Sequence, residues 1–386
     1  MLYGLLCKFY FYYYYYFYLY MIFNIQRETL LHPLSQINGV VEKKQTLAIL
    51  GNFYIKAYEG VLSITASDSE VEMVGTCQAD IIEEGEITVP ARKFFDICRA
   101  LQDGAIINFS EETNKCVLQS GKSKFSLSTL SGKEYPLIKN IETYDSLNLE
   151  TNVLKELLNQ SSFCMAVQDV RYFLNGLLFE IDDNKIRCVA ADGHRLALSE
   201  TDFNNDNNIN KQLLIPRKGV LELLKLIRDK NQEIKINVGK NHINFICDTI
   251  SLTSKLIDGN FPDYQTVIPL HMDKTLVTDK SLLKSALQRV AILSNEQYKG
   301  VKLNINNNSM KIVGHNPEQE QAEEVIEVES DIEDIQTGFN VTYLLDAINA
   351  IEGDKIMFNF KDALSSCLIK HPEDNSCRLV VMPIRI

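Results

Sequence analysis

The sequence contains no tryptophan, and its cysteines and histidines show none of the spacings that hold a metal. Nine cysteines stand at 7, 77, 98, 116, 164, 188, 247, 367 and 377, without one C-x-x-C pair. Such an odd, scattered set argues against both a zinc ribbon and a disulfide framework. It reads as small apolar core residues in a reducing cytoplasm. The six histidines are equally dispersed, with no H-E-x-x-H, and there is no glycine-rich phosphate loop. No cofactor is implied. The net charge of −12 excludes a generally basic coat but leaves room for a local basic surface. At 386 residues the chain can hold two or three domains.

A long apolar run occurs in one place, residues 1–20, MLYGLLCKFYFYYYYYFYLY. Its length suits a membrane helix or an uncleaved signal. Its Tyr and Phe prefer the membrane interface to the centre, and no small-residue cleavage site follows. Met21 opens an ordinary alternating strand. The expectation is that the chain proper begins there and that 1–20 is a non-native or upstream-translated extension. The competing reading is a membrane-anchored interaction protein, which predicts sedimentation with membranes.

What is present centres on residues 188–199, CVAADGHRLALS. Two short apolar runs flank Asp192-Gly193, a strong hairpin signal because Gly accepts positive φ and Asp bonds its own backbone. His194 and Arg195 follow the turn among residues that a core would bury, which suggests the edge of a site; the plain alternative is a solvated hairpin tip.

The chain also repeats. Helices are expected over 27–37, 91–101, 152–161, 217–229, 281–292 and 341–351, with strands between them, including 47–50. On the second helix Phe94, Phe95, Ile97 and Leu101 form the apolar face. Pro90 and Pro216 lie 126 residues apart, as do Pro136 and Pro262; Asp68, Asp192 and Asn316 are spaced by 124. A period near 125 is too long for a solenoid repeat of ~20–50 residues. The fold class expected is α+β: three repeated domains, each of two helices packed on antiparallel sheets. The domains are 21–145, 146–274 and 275–386.

The helix faces turned away from the sheets carry the charge signal. Second helices show Arg92, Lys93 and Arg99, then Arg217, Lys218, Lys225, Arg228 and Lys230; first helices add Lys155, Lys280, Lys284 and Arg289. Acids collect elsewhere, above all in 317–335, PEQEQAEEVIEVESDIEDI. Basic groups gathered on one surface are what a phosphate backbone requires, and such contacts read no base sequence. An enzymatic reading would rest on Asp192 with His194, as in a metal-dependent nuclease. Carboxylates and histidines do not recur in a catalytic pattern, and Asp192 is better explained by the turn.

Several long motifs in order resemble the bacterial β sliding clamp, the processivity subunit of DNA polymerase III. They are VPARKFFDICR (89–99), QDVRY (168–172), ADGHRLA (191–197), IPRKGV (215–220), DGNFPDY (258–264), ILSNE (292–296), NPEQE (316–320) and VVMPIR (380–385). The resemblance runs from Met21 to Ile386 and implies a cytoplasmic, non-enzymatic DNA-clamp fold. Two chains would join head to tail as a dimeric ring, with helices lining the hole. Phe125, Ile292 and Leu293 match the family's apolar interface positions. Acidic Glu318, Glu320, Glu323 and Glu324 suit one side of that contact, and Lys93, Lys115, Lys122 and Lys124 the other.

The same resemblance implies a pocket for partner peptides. Its apolar part would include Leu174, Gly193, His194, Arg195, Leu196, Pro262, Val267, Val380 and Met382. The adjoining groove would use Arg171, Phe173, Asn340, Tyr343, Leu364, Ser366, Pro383, Ile384 and Arg385. An apolar cleft of this kind takes leucine or phenylalanine anchors. Ala191 stands where members often have Thr, Phe173 where Tyr is frequent, and Ile384 and Ile386 replace Met and Leu. Lys44, Gln168 and Tyr172 match DNA-touching positions, joined by Arg92, Arg217 and Lys218; Val167 replaces a frequent His. The implied partners are duplex DNA without sequence preference, the polymerase III alpha subunit, the clamp loader, and other replication and repair polymerases and mismatch-repair factors. The alternative is an electrostatic DNA-binding protein that does not encircle DNA.

Overall fold

Six α-helices, each continuing directly from a strand, set the plan of the described chain. They are α1 (Arg27–Ile37), α2 (Ala91–Ala100), α3 (Thr151–Ser161), α4 (Arg217–Ile227), α5 (Lys280–Ala291) and α6 (Val341–Ala350). The structure, a computed structural model, describes residues 20–41, 47–138, 142–182, 184–205, 208–228, 231–269 and 272–385. Residues 1–19, on which the expected extension falls, lie outside these, and so does Lys44.

The helices pair by one rule used three times. The first backbone N–H of α1 donates to Ala105, that of α3 to Gln232 and that of α5 to Asp354, each at 2.8 Å. A cation on the first helix then meets the carbonyl end of the second. Arg27 donates from Nε to Cys98 O at 3.0 Å and from Nη2 to Arg99 O at 2.9 Å. Lys155 Nζ donates to Arg228 O at 2.6 Å, and Lys280 Nζ donates to Ile351 O. Positive charge at a helix C-terminus satisfies orphan carbonyls and opposes the negative end of the dipole. This corrects the reading of Lys155 and Lys280 as part of an open basic face: both amines are engaged within the chain.

Two compact units are present, one of residues up to 140 with 248–252, the other of 141–247 with 253 onward. In the first unit, one sheet runs Asp80–Glu83, Ile22–Gln26, Ile106–Glu112, Lys115–Ser120, Ser123–Ser128 in spatial order. Phe23 and Phe109 stack at 4.6 Å between ring centres in its core. The expected strand at 47–50 is instead a single 3-10 turn, Ala48–Gly51, leading into the strand Asn52–Tyr58. On α2 the buried residues are Ala91, Phe94 and Cys98, while Phe95 and Ile97 are half-buried. The 3- and 4-residue steps from Ala91 set that stripe, so the two adjacent apolar residues fall on its margins.

In the second unit, nine antiparallel strands form one sheet shared by the second and third repeats. Its order is Lys211–Pro216, Gly176–Ile181, Lys185–Ala191, Arg195–Asp202, Cys377–Val381, Cys367–Lys370, Lys355–Phe360, Lys274–Asp279, Glu329–Ser330. A four-stranded sheet ends at Gln321–Glu327, within the acidic run. The three turn residues spaced by 124 act alike. Asp68 Oδ1 accepts from the N–H groups of Glu70 and Val71, Asp192 Oδ1 from those of His194 and Arg195, and Asn316 Oδ1 from that of Glu320. A short side-chain oxygen thus replaces a backbone turn bond in each repeat.

Candidate peptide-binding pocket

The floor of the pocket follows from strand pairing. Ala191 faces Leu196 across the predicted hairpin, and Leu196 faces Val380 on the next strand. Two residues along, Leu178, Val189 and Leu198 form a second row. The period of two puts both rows on one face of the sheet. Leu178, Val189, Leu196, Leu198, Tyr264 and Val380 are buried there as one cluster, with Phe261, Ile268 and Leu368 packed against it.

Above this floor lies a cavity of about 210 Å³. It brings together Leu174, Gly193, Arg195, Leu196, Pro262, Val267, Val380 and Met382, along with Arg171, Phe173 and Ala191. Phe261 and Tyr264 also line it. Neither had been singled out as a pocket residue, although both stand in the DGNFPDY motif. Val267 and Met382 are more than one-third exposed and form part of the open rim.

One wall is a cation held from several sides. Arg195 Nε pairs with Asp192 at 3.0 Å, Nη1 with Asp346 at 2.6 Å, and Nη2 donates to Phe163 O at 2.9 Å. Its guanidinium stands 4.4 Å from the centre of the Tyr343 ring. His194 Nε2 and Nδ1 belong to a ring 6.4 Å from the same tyrosine, nearly parallel to it. The cation is therefore neutralised, and the cavity it borders is mostly apolar in its lining.

The mouth is set by Gly193, whose φ is +89°. A β-carbon there would meet Arg171 Nη2 at 2.6 Å. Arg171 is held flat by Asp169, with Nε to Oδ1 at 3.0 Å and Nη2 to Oδ2 at 2.9 Å. These bonds, with one from the Arg171 backbone, hold the Asp169 carboxyl down to about 2.

The remaining groove residues stand outside the cavity wall. Asn340 caps α6, its Oδ1 accepting from Thr342 N at 2.9 Å. Ile384 N donates to Gly338 O at 2.8 Å. Leu364 is 81% exposed in the turn after Asp362. Ser366 and Pro383 are half-buried and Arg385 is exposed.

Family models for the DNA polymerase III beta subunit match the chain in three blocks: the N-terminal domain at 21–139, the central domain at 148–263 and the C-terminal domain at 265–385. The chain belongs to the DNA polymerase III beta subunit family, the β sliding clamps. It is 44% identical to the beta sliding clamp of Vibrio cholerae and 41% identical to that of Escherichia coli, in each case over 95% of this chain and 100% of the relative. The crystal structure of the Pseudomonas aeruginosa polymerase III subunit beta superposes with a TM-score of 0.92 at 42% identity, over 95% of this chain and 100% of that one. A second Pseudomonas aeruginosa clamp, bound to griselimycin, gives a TM-score of 0.89 at 41% identity, with the same coverage.

In this sliding clamp the residues expected to meet DNA are distributed unevenly. Arg92 and Lys93 are exposed on α2, where Arg99 pairs with Asp96 at 2.9 Å. Gln168 and Tyr172 lie in an exposed loop, the former at φ +56°. Arg217 and Lys218 are half-buried on the first turn of α4, and Arg217 Nη1 donates to Met165 O at 3.0 Å. The exposed face of α6 offers no Lys or Arg at all.

The residues expected at the dimer contact sit at two sheet edges and at the end of α5. Phe125 is half-buried on Ser123–Ser128, the outermost strand of its sheet, among exposed Lys122 and Lys124. Gln321–Glu327 is likewise outermost, with Glu318 and Glu320 exposed just before it. Ile292 is 77% exposed at the end of α5, and Leu293 is half-buried. Glu324 already receives Arg289, at 2.6 and 3.0 Å, and Glu323 receives Lys311 at 2.7 Å. Two of the four glutamates expected at the contact, Glu323 and Glu324, are thus paired within their own chain.

Proposed function

We propose that this sliding clamp closes head to tail as a homodimer around duplex DNA and holds the leucine or phenylalanine anchors of partner peptides in its pocket. The observation that carries the peptide reading is the apolar cavity between the 192–195 turn and the 258–268 segment, bordered by an already neutralised Arg195. An extended peptide can bury one or two apolar side chains there while the rim residues fix its direction. The residue set proposed for the groove remains Arg171, Phe173, Asn340, Tyr343, Leu364, Ser366, Pro383, Ile384 and Arg385, with His194 kept in the pocket set.

The ring reading is supported by the two open edges. A lysine-bearing strand in one unit and a glutamate-bearing strand in the other are complementary and different, as a heterologous contact requires. Phe125 on one side, and Ile292 and Leu293 on the other, would supply the apolar centre. The domain limits proposed are 21–145, 146–274 and 275–386. Arg92, Arg217, Lys218, Gln168, Tyr172 and Lys44 are proposed to meet phosphates without reading sequence.

The mechanism needs no chemistry in the clamp. Encirclement keeps the protein on DNA, and a tethered partner stays near its substrate through raised effective concentration. Polymerase III alpha, the clamp loader, and other replication and repair polymerases and mismatch-repair factors are the proposed partners, in the cytoplasm. No helix among the described residues is long and apolar enough to cross a membrane.

The test is retention on a nicked circle after loading, followed by linearisation. Retention in moderate salt that ends on cutting is expected. Retention indifferent to DNA ends and lost only with salt would instead make the protein an electrostatic binder.

A further inference from the structure

A row of half-buried charge runs beside the pocket floor, on the same face of the same sheet. Glu180 lies two residues from Leu178, Arg187 two from Val189, Glu200 two from Leu198 and Arg378 two from Val380, so each pair shares a face. Arg187 donates to Glu180 at 3.2 Å, to Glu200 at 2.9 Å and to Asp182. Glu200 in turn receives Arg378 at 3.0 Å and Lys185 at 2.9 Å. The side chains of Glu180, Arg187 and Glu200 are between 12% and 17% exposed. Removing such groups from water is costly, and the network is favourable only because its lone pairs are met by donors.

Tyr264 joins this row to the pocket. Its ring is part of the apolar floor and lines the cavity. Its hydroxyl donates to Glu180 Oε2 at 2.6 Å. Burial and the adjoining carboxylate push that phenol up to about 12, so it remains a donor throughout the neutral range. Tyr264 opens the short 3-10 turn Tyr264–Thr266 of the segment that also brings Phe261, Pro262 and Val267 to the cavity. At the other end of the row, Arg378 stands on the strand whose continuation brings Val380 and Met382.

We propose that Glu180 is a positioning residue for peptide recognition. Through the Tyr264 hydroxyl it fixes the 258–268 wall against the sheet, and through Arg187, Glu200 and Arg378 it sets that wall relative to the Val380–Met382 wall. The proposal rests on the peptide reading of the pocket. A wall held by a part-buried hydrogen bond is ordered before the ligand arrives, so less ordering cost is met on binding.

The experiment measures affinity for a fluorescein-labelled hexapeptide carrying a Leu-Phe pair, together with thermal unfolding, in the full chain. Tyr264→Phe keeps the ring and removes the hydroxyl. It is expected to weaken the peptide roughly five- to tenfold, the range of one net hydrogen bond, with the unfolding midpoint nearly unchanged. Glu180→Gln keeps an acceptor for the hydroxyl and is expected to bind within about twofold of the parent; Glu180→Leu, which also removes the Arg187 pair, is expected to weaken the peptide at least as much as Tyr264→Phe. Adding Tyr264→Phe to Glu180→Leu should cost nothing further, because the bond is already gone. Undiminished binding by Tyr264→Phe overturns the positioning role while leaving the pocket reading in place. Failure of the parent chain to bind the hexapeptide removes the pocket reading, and the inference with it.

Discussion

Arg195 reaches from the central repeat to Asp346 on α6 of the third, Nη1 to Oδ2, at 2.6 Å. The contact ties the turn that forms one wall of the pocket to a helix on the other side of the shared sheet. Arg195→Ala would strand Asp192 and Asp346 and uncover the Tyr343 ring. The expected loss is roughly 1–3 kcal/mol in urea unfolding, the cost of leaving part-buried partners unmatched. Lys in place of Arg should recover little of it, because one ammonium cannot serve two carboxylates, a carbonyl and a ring at once. A Lys variant as stable as the parent would show that charge alone is sufficient.

Gly193 is the second sensitive point. At φ +89° an L-residue is strained, and the new β-carbon would displace Arg171. Gly193→Ala is expected to lower stability by roughly 1–2 kcal/mol and to weaken peptide binding by opening the pocket mouth. A comparison with Gly104→Ala calibrates the backbone part: that residue is at φ +75°, but its β-carbon would meet nothing within 4 Å. Equal peptide affinity in the two variants would remove Arg171 from the pocket's operation.

The Asp169–Arg171 bracket predicts a pH response. The folded carboxyl sits near 2, below its ordinary 3.8. A depressed carboxylate stabilises the fold above the unfolded value, and that contribution fades as pH falls through the folded one. The bracket should therefore stay intact from neutral pH to about pH 3, loosening only below. The carboxyl carbon shift of Asp169, followed by NMR, should be flat across that range. A midpoint close to 4 would mean the bracket is absent in solution.

Thiol reactivity gives a check on the core. Burial pushes Cys77 up to about 11 and Cys98, Cys116 and Cys377 up to about 12. With so little thiolate available, iodoacetamide at pH ~8 should leave Cys98, Cys116 and Cys377 unmodified in the native protein. Mass spectrometry of the digested, labelled chain reads this directly. Rapid labelling of Cys98 would mean that α2 does not pack as described.

DNA retention should carry the signature of its phosphate contacts. Replacing Arg92 by Ala is expected to reduce the log–log salt slope by up to about 1, the value of one lost contact. Replacing Lys155 should leave the slope unchanged, since its amine closes the end of α4. A Lys155 variant that lowers the slope as much would return that lysine to the DNA-facing set.

Periodicity made much of this legible. Apolar spacing delimited α1 at the same residues the structure shows, 27–37, and the Asp-Gly signal marked the hairpin that became one wall of the pocket. The acidic run was harder, because its glutamates conceal an edge strand that is anchored through a single fully buried position, Ile326. Nor did α2 follow a simple count of its apolar residues: Cys98, a small side chain, occupies the buried stripe while Phe95 and Ile97 lie at its sides. Tyr264 was missed as a pocket residue because its local sequence announces a turn. Its hydroxyl partner is Glu180, 84 positions earlier, a distance no local pattern spans.

The two open sheet edges have a second consequence. An unpaired strand invites any other strand, including its own copy, and so carries a danger of runaway polymerisation. Here one edge bears Lys122 and Lys124 and the other is flanked by Glu320 and Glu327, so identical edges repel each other. In the proposed head-to-tail dimer, an open edge would be guarded against its own kind and receptive to the opposite edge of the other copy. The charges proposed to favour that seam would then also act as a safeguard against fibres while it is open.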